Sequence, residues 1–369
     1  MFFEHNNEYR TIVHKFLTES MKEIARDCEI NNRIESQTIK TVYRSVYHSL
    51  VQPYLCKKKQ LDQTMLAVLH EEIGRISPAI SGFFTVQSMV IAAIEQFGNV
   101  EQRNLLPSLY SGEILASFAL SESNAGSNIR NIKTSLKPCA DSYEVSGDKK
   151  WITMAQVADL YLVFGVKDRE ATAFLLENGT TGLVVEPISD IVGFRGGMYG
   201  ELHLHNCKVA SSAIIGGVGW GLSHVAGYAL NMGRFLVACC CVGMAQASID
   251  ACRLYLATKR GNTRHQLIQR LLAQMITETQ AARLMCMNAA YYRENKMEIS
   301  VDPVLQSKYF ASVTAVKAIK NAVQIHGADG LTDKYEVSRL YRDAAVIEII
   351  EGTTQILEQL IGVGFTNLI

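Results

Sequence analysis

One acidic residue stands where a carboxylate could act as a base. Glu351 follows the apolar residues 346–350, which are interrupted only by Glu348, and it precedes the letters GTTQ. A desolvated carboxylate in such a place could take a proton from a weak carbon acid. A charged side chain is rarely buried unless it is paired, so the spacing alone favours a helix with both carboxylates facing water.

Two further segments have the composition of a ligand-binding loop. Residues 118–127 read FALSESNAGS, which is small, polar and turn-forming, and residues 150–153 read KWIT. Without other information the first is an ordinary loop and Trp151 is a core aromatic. The sequence has no GxGxxG after a strand, no GxxxxGK[ST], no GxSxG and no HExxH. It therefore lends no support to a nicotinamide site of the Rossmann type, a P-loop, a serine hydrolase or a metal centre.

A set of short strings occurs in a fixed order along the chain. They are FALSESNAGS at 118–127, KWIT at 150–153, GWG at 219–221, QIHGA at 324–328, YRDA at 341–344 and EGTTQ at 351–355. Read together, they resemble the acyl-CoA dehydrogenase family, and the resemblance covers essentially the whole chain. It implies an FAD-dependent oxidoreductase that removes two hydrogens from an acyl thioester.

The same resemblance implies where the flavin binds. Leu120 and Ser121 would bond to the pyrimidine edge of the ring, Trp151 would lie against it and Thr153 would bond near N5. Across a dimer interface, residues 324–328 would touch the pyrophosphate, which implies a homodimer or homotetramer. The implied cofactor-binding residues are Phe118, Leu120, Ser121, Gly126, Ser127, Trp151, Thr153, Arg260, Gln324, Gly327, Ala328, Thr353 and Gln355.

For catalysis, the resemblance implies that Glu351 takes the α-proton while the β-hydride passes to flavin N5. Some relatives place the base on a long helix, just before an arginine; here Gly233 precedes Arg234, so that place holds no competing carboxylate. Ser127, Asn231 and Arg234 are the implied substrate contacts. Arg234 would line the substrate entrance, although a salt bridge on the helix surface suits it equally.

The chain departs from the family pattern in several places. Residues 257–266 read ATKRGNTRHQ, several residues shorter than usual, which leaves Arg260 as the candidate for the pyrophosphate, with Arg264 behind it. Ser123, Asn128 and Ala328 replace a usual proline, aspartate and glycine. These departures argue against a housekeeping β-oxidation enzyme.

The strings IHGADG and IIEGTTQ are closer to dehydrogenases of polyketide and nonribosomal-peptide pathways. Those enzymes act on acyl groups tethered to an acyl carrier protein, for example in making hydroxymalonyl or aminomalonyl extender units, as in a colibactin-like pathway. Lysines 57–59 could meet an acidic carrier protein, or could be a solvated loop. An acyl-CoA dehydrogenase of catabolism, a non-catalytic flavin-binding protein and a flavin oxidase or monooxygenase stay open as alternatives.

The elements that position these residues fall into three regions, which differ in the spacing of their apolar residues. Residues 5–112 show apolar three-and-four spacing, as in Ile12, Phe16, Met21 and Ile24, and predict helices. Short β-rich runs between 114 and 212 predict an antiparallel barrel or sandwich. Helices are predicted again at 222–260, 264–294, 303–326 and 335–361. The fold class is α+β, mainly α, with an N-terminal helical domain (1–113), a central β domain (114–214) and a C-terminal four-helix bundle (215–369).

Composition limits the partners. Lys+Arg and Asp+Glu both total 36, so the formal charge is zero and supplies no general attraction to nucleic acid or to an anionic membrane. The N-terminal residues are not expected to form a signal peptide, because acidic and polar residues interrupt any apolar run. The nine scattered cysteines predict reduced thiols, with Cys239, Cys240 and Cys241 packed in the core. A cytoplasmic protein whose electron acceptor is another flavoprotein or a different carrier is expected.

Overall fold

A computed structural model describes residues 2–53, 62–259, 265–297 and 302–366, which run from helices through strands and back to helices. The first helices are α1 (Phe2–Asn31), α2 (Ser36–Val46), α3 (Gln63–Ile76), α4 (Pro78–Phe97), α5 (Val100–Arg103) and α6 (Leu106–Ser111). The strands are β1 (Ala116–Ala119), β2 (Ser135–Cys139), β3 (Ser142–Ile152), β4 (Leu160–Lys167), β5 (Glu170–Glu177), β6 (Leu183–Pro187), β7 (Gly200–Ala210) and β8 (Ile214–Ile215). The last helices are α7 (Gly227–Thr258), α8 (Gln266–Glu294), α9 (Pro303–His326), α10 (Glu336–Ile347) and α11 (Thr354–Thr366).

The N-terminal helices form where local sequence caps them. Asp62 accepts the N–H of Thr64 at the start of α3, and Ser77 precedes Pro78 at the start of α4. On α1 the buried stripe runs through Val13, Leu17 and Met21. The predicted helix is confirmed, but its buried face does not include Ile12, which is 46% exposed.

The central region is one eight-stranded sheet in the order β6-β7-β3-β2-β4-β5-β8, with β1 beside β4. The β-rich region predicted between 114 and 212 does form strands, and in β7 Leu202 and Leu204 are buried while Glu201 and His203 are not, as the alternation of a half-buried strand requires. The expectation of a purely antiparallel sheet was wrong. β1 and β2 each pair with β4 in parallel, because the chain crosses over through β2 and β3 before it returns as β4.

Helix α7 is the central helix of the C-terminal region. It is preceded by π-helical turns at Gly221–Ala226 and packs between the N-terminal helices and α8 and α9. A Cβ at Gly243 would lie 2.0 Å from the carbonyl oxygen of Glu71, so the close approach of α3 requires a glycine there. Cys239, Cys240 and Cys241 are buried free thiols, which confirms their predicted core position.

The helix predicted over 335–361 is two helices. Helix α10 ends at Ile347 and α11 begins at Thr354, because Glu351 (φ 56°) and Gly352 (φ 100°) adopt left-handed backbone. Only glycine adopts that conformation without strain, so Gly352 favours a turn where apolar spacing favours continuation. Glu351 consequently lies on a turn rather than on the wet side of a helix.

Among the described residues, two helices are long and apolar enough to cross a membrane by length and composition, Pro78–Phe97 and Gly221–Thr258. In their most apolar windows 83% and 78% of the residues are buried inside the protein. Both are therefore core helices of the fold.

Candidate active site

The loop that follows β1 is attached to β3 by a buried ion pair. Lys149, which is 0% exposed, donates to the carbonyl oxygen of Leu120 at 3.1 Å and to Glu122 Oε1 at 2.7 Å. Glu122 also accepts the backbone N–H groups of Lys133 and Thr134. Burial lowers the pKa of Lys149 to about 8. The pair fixes the main chain of the predicted flavin-binding loop.

The end of β3 brings Trp151 and Thr153 next to that loop. The N–H of Lys150 donates to the carbonyl oxygen of Ser121 at 2.9 Å. Trp151 has a left-handed backbone (φ 63°) and an indole that is 55% exposed, which is unusual for so large an apolar side chain. An exposed indole held by strained backbone is suited to stack against a planar ligand.

Glu351 points from its turn toward helix α7. A Cβ placed on Gly233 would lie 2.6 Å from Glu351 Oε2 and 2.7 Å from the sulfur of Met89. The carboxylate therefore occupies space beside Gly233 that a side chain at that position would fill. The two positions at which the family places its base, by the resemblance given above, thus reach the same point in this fold.

The carboxyl group of Glu351 is in an unusual electrostatic state. Its Oε2 is buried and has no hydrogen-bond partner among the described residues. Loss of water raises the pKa of Glu351 to about 7, although Arg234 and Lys308 oppose the rise. An unpartnered buried oxygen is costly unless a ligand uses it, and perturbed carboxyls cluster at functional sites.

Arg234 contacts the turn that carries Glu351, and the structure shows no salt bridge of Arg234 on the helix surface among the described residues. Its Nε donates to the carbonyl oxygen of Glu351 at 3.0 Å, and burial lowers the pKa of the guanidinium. Asn231, one turn away, donates to Asp302 at 2.5 Å and accepts from Arg293. Its amide is thus engaged within the protein, and its role as a substrate contact stays a prediction.

Helix α4 connects the two halves of the site. Gly82 faces Thr153, whose Cγ2 would be 3.9 Å from an added Cβ, and Met89 reaches Gly233 and Glu351. Gly82 and Met89 are seven positions apart on the same face of α4, which corresponds to about 10 Å along the helix axis. Thr153 lies beside Gly82 and the carboxylate of Glu351 lies near Met89, so the two groups are beside points of α4 separated by that distance. A planar ring and an acyl chain stacked at van der Waals contacts of about 3.5–4 Å would fill such a gap.

Other predicted cofactor residues lie at the end of α9, further along the loop after β1, and next to the Glu351 turn. Gln324, Gly327 and Ala328, at the end of α9, are exposed, as are Gly126 and Ser127 in the loop. Thr353 and Gln355 directly follow the Glu351 turn. Arg260, Arg264 and lysines 57–59 lie outside the described residues, so their predicted roles stay predictions.

The YRDA string has a clear structural role. The buried carboxylate of Asp343 accepts the N–H of Phe194 at 2.6 Å and pairs with Arg339 at 3.1 Å. Burial raises the pKa of Asp343 to about 6. The string therefore joins α10 to the loop before β7.

Sequence reasoning did not single out Lys149, Glu122, Met89 or Lys308. A signal existed for Lys308, which is the one charged residue in the apolar stripe of α9. That stripe follows three-and-four spacing through Val304, Lys308, Ala311, Ala315, Ala318 and Ala322.

The helix–sheet–helix architecture, a desolvated carboxyl and an exposed tryptophan are compatible with a flavin-dependent oxidoreductase. Models of the acyl-CoA dehydrogenase N-terminal, middle and C-terminal domains match residues 4–113, 117–207 and 219–365. The chain belongs to the acyl-CoA dehydrogenase family. It is an FAD-dependent enzyme of a family that dehydrogenates acyl thioesters.

Individual relatives are similar over nearly their whole length. A 3-(aryl)acrylate reductase of Clostridium sporogenes (strain ATCC 15579) is 29% identical over 374 residues, covering 98% of both chains. An acyl-CoA dehydrogenase of Bacillus subtilis (strain 168) is 32% identical over 356 residues, covering 92% of this chain and 93% of that one. The structure of butyryl-CoA dehydrogenase from Megasphaera elsdenii superposes with a TM-score of 0.90 at 25% identity, covering 98% of both chains.

The described residues fit an FAD group. Two observations support this fit: the buried Oε2 of Glu351 has no partner among the described residues, and the large side chain of Trp151 is left exposed beside the loop of Leu120 and Ser121. Trp151, Thr153, Leu120 and Ser121 would hold the ring.

The contact between Gly233 and Glu351 leads to a test. We expect Gly233→Ala to lower the rate of flavin reduction at least about tenfold, because the methyl group would displace the carboxylate. The matched control is Gly227→Ala in the same helix, where the exposed Cβ meets only a carbonyl oxygen at 3.7 Å. That control should keep its activity and gain about 0.5–1 kcal/mol of stability. Equal rates in both variants would contradict the placement of the base.

Proposed function

We propose that Glu351 is the base that removes the α-proton of an acyl thioester in this enzyme. The observation that carries this proposal is the buried Glu351 Oε2, which has no partner among the described side chains. A carbon acid beside a thioester is very weak, so its base must be poorly solvated and still ionisable near neutral pH. A pKa of about 7 meets both requirements.

The other residues of the chain orient the base and exclude water. Arg234 holds the main-chain carbonyl of Glu351, and the Glu351 N–H would donate to the thioester carbonyl, where negative charge develops. Gly233 and Met89 leave the carboxylate one narrow position. Bound FAD supplies the acceptor for the β-hydride.

We further propose that the acyl group is carried by an acyl carrier protein. The support lies in the sequence: Ser123, Asn128 and Ala328 depart from the usual family residues, and the strings around His326 and Glu351 resemble those of carrier-linked dehydrogenases of polyketide and nonribosomal-peptide pathways. An aminomalonyl-type extender unit would be the product class.

A conventional acyl-CoA dehydrogenase is the second candidate. It is favoured by the similarity to the Bacillus subtilis protein of that name, which extends over 92% of this chain. In that case the substrate would be a free acyl-CoA from fatty-acid or amino-acid breakdown.

Anaerobic titration of the purified flavoprotein separates the two candidates. The same acyl group is presented on a carrier protein and on CoA, and bleaching of the flavin absorbance is followed. We expect bleaching at least about a hundredfold faster with the carrier-bound form, because binding energy from the remote carrier is used at the reacting centre. Comparable rates with both substrates would favour the CoA enzyme, and no bleaching with any acyl thioester would contradict dehydrogenation.

We also propose that the enzyme is a homodimer or homotetramer that passes its electrons to another flavoprotein. Gln324 lies sixteen positions after Lys308, about 24 Å along α9, so the exposed residues at that end are far from the Glu351 turn of their own protomer. Exposed Leu254 and Leu331 (67% and 74%) support burial against a second copy. Light scattering of the flavin-loaded protein tests this proposal.

A further inference from the structure

One buried lysine outside the predicted site contacts the turn that carries Glu351. Lys308 is 0% exposed although it bears a charge, and it projects from α9 among small apolar residues. Lysine is almost never fully buried unless its ammonium group is paired. Its partners therefore indicate what it does.

The partners of Lys308 are two main-chain carbonyls that enclose Glu351. Its Nζ donates to the oxygen of Ile347, the last residue of α10, at 3.0 Å, and to the oxygen of Gly352 at 2.9 Å. The oxygen of Glu351 itself is held by Arg234 from the opposite helix, α7. Three carbonyls of one short turn are thus fixed by two cations from different helices.

We propose that Lys308 is a positioning residue for Glu351, which holds the left-handed turn closed and provides a positive charge near the carboxylate. The inference rests on the proposed role of Glu351 as the base. Locally the turn is favoured by Gly352 and by the Thr354 N–H, which donates to the carbonyl oxygen of Glu348 at 3.1 Å, whereas Lys308 ties both ends of the turn to α9. Moving the carboxylate by about 1 Å is enough to slow proton transfer markedly.

The charged and titratable groups around Lys308 come from the Glu351 turn, from α7 and from the start of α9. Glu351 and Glu348 face it from the turn, Arg234 and Cys241 face it from α7, and Asp302 acts on Arg234 from the start of α9. Burial lowers the pKa of Lys308, while the thiol of Cys241 and the carboxylate of Glu351 oppose that shift. Lys308 in turn lowers the pKa of Glu351 against the larger effect of desolvation.

The test compares variants of Lys308 in the flavin-loaded enzyme. Lys308→Met removes the charge and the donors, Lys308→Gln keeps N–H donors without charge, and Lys308→Arg keeps both. Lys317→Met is the control, since Lys317 is an exposed lysine of the same helix that pairs with Glu278. For each protein, the rate of anaerobic flavin reduction by an acyl thioester is measured against pH. Protonated Glu351 is also followed without substrate, by its infrared carboxyl band against pH. That band is assigned to Glu351 by its absence in Glu351→Gln.

In Lys308→Met and Lys308→Gln we expect both midpoints to rise by about one pH unit, which is about a fivefold loss of rate at pH 7 because the ionised fraction of Glu351 falls from about a half to about a tenth. Lys308→Gln should recover more of the limiting rate at high pH than Lys308→Met, and Lys308→Arg and Lys317→Met should keep the wild-type midpoint. Unchanged midpoints in the Met and Gln variants would overturn the proposal, even if their thermal stability falls. If Lys308→Met does not fold, the comparison of the midpoints of Lys308→Gln and Lys308→Arg tests the proposal.

The two readouts also separate this inference from the proposed function. If no acyl thioester reduces the wild-type flavin, dehydrogenation fails, but the infrared titration still tests the effect of Lys308 on Glu351. If the wild type is active and Glu351→Gln is not, while Lys308→Gln titrates like the wild type, only the inference about Lys308 fails.

Discussion

Replacing Glu351 by glutamine should slow flavin reduction by an acyl thioester at least about a thousandfold and leave FAD bound. The amide has nearly the shape of the carboxyl, so the turn held by Arg234 and Lys308 is preserved, but it cannot accept the α-proton. Stopped-flow absorbance under anaerobic conditions measures the rate, and the visible spectrum measures retained flavin. A variant that bleaches at the wild-type rate would remove Glu351 from the chemistry.

The pH dependence of the wild type provides a second check on the same residue. Only the ionised carboxylate accepts a proton, so kcat/KM should rise with pH through a midpoint near the pKa of about 7 that burial gives Glu351 in the free enzyme. A midpoint close to 4.5, the ordinary pKa of a glutamate, would mean that the carboxyl is solvated in solution.

As pH rises, the free energy of unfolding of the wild type should fall while its activity rises. The folded state keeps the Glu351 proton up to about pH 7, while the unfolded chain releases it near 4.5, so the folded wild type loses stability as pH rises between those values. Glutamine has no such proton, and above pH 7 Glu351→Gln should be more stable than the wild type by up to about 3 kcal/mol. Denaturant unfolding at pH 5 and pH 8 measures this difference, and a variant less stable at both would indicate a structural role.

These outcomes also separate the less favoured functions. A non-catalytic flavin-binding protein would show no change of rate in Glu351→Gln, because no proton transfer occurs in it. A flavin oxidase or monooxygenase would reduce O₂ directly, so the reduced wild type would form peroxide rapidly without another electron acceptor. Slow peroxide formation together with rapid reoxidation by a flavoprotein acceptor would fit the dehydrogenase.

The sequence predicts the strands well because each strand is a short β-rich run bounded by turn residues. It predicts the sheet order less well, since pairing of β1 with β4 depends on how the chain crosses over between them. The break between α10 and α11 was also missed. Apolar spacing continues through residues 346–350, and the local signals for the turn were Gly352 and Thr353, whose hydroxyl accepts the N–H of Ile356 at the start of α11.

The candidate site could be located from the sequence only through its resemblance to a family. Spacing alone places Glu351 in water, and burial of its carboxylate arises from Gly233 and Met89, which are distant in the chain. Lys308 illustrates a signal that is visible in advance, because a lysine in an alanine-rich helical stripe must find partners inside the protein. Its partners are the main-chain carbonyl oxygens of Ile347 and Gly352. Every residue has a carbonyl oxygen, so the pattern of side chains in the sequence cannot predict which ones a buried lysine will contact.

Replacing Lys149 by methionine should lower the free energy of unfolding by about 3 kcal/mol and weaken FAD binding. Methionine fills the buried space, but the Glu122 carboxylate loses its cation and the Leu120 carbonyl loses its donor. The loop that carries Leu120 and Ser121 would then be held at β3 chiefly by the Lys150 N–H bond to Ser121. Denaturant unfolding of the apoprotein and titration with FAD measure the two effects.

The adjacent lysine provides the matched control. Lys150 pairs with Glu201 at 2.7 Å on the surface, with about a third of its side chain exposed (32%), so Lys150→Met should cost less than about 1 kcal/mol. If the two variants lose equal stability, the buried pair has no special role. Adding Glu122→Gln to Lys149→Met should recover part of the loss, because a neutral amide tolerates burial without a cation and its one carbonyl oxygen keeps one of the two backbone bonds from Lys133 and Thr134. Recovery of stability without recovery of FAD affinity would show that the ammonium group acts on the flavin loop through Leu120 as well as through the charge of Glu122.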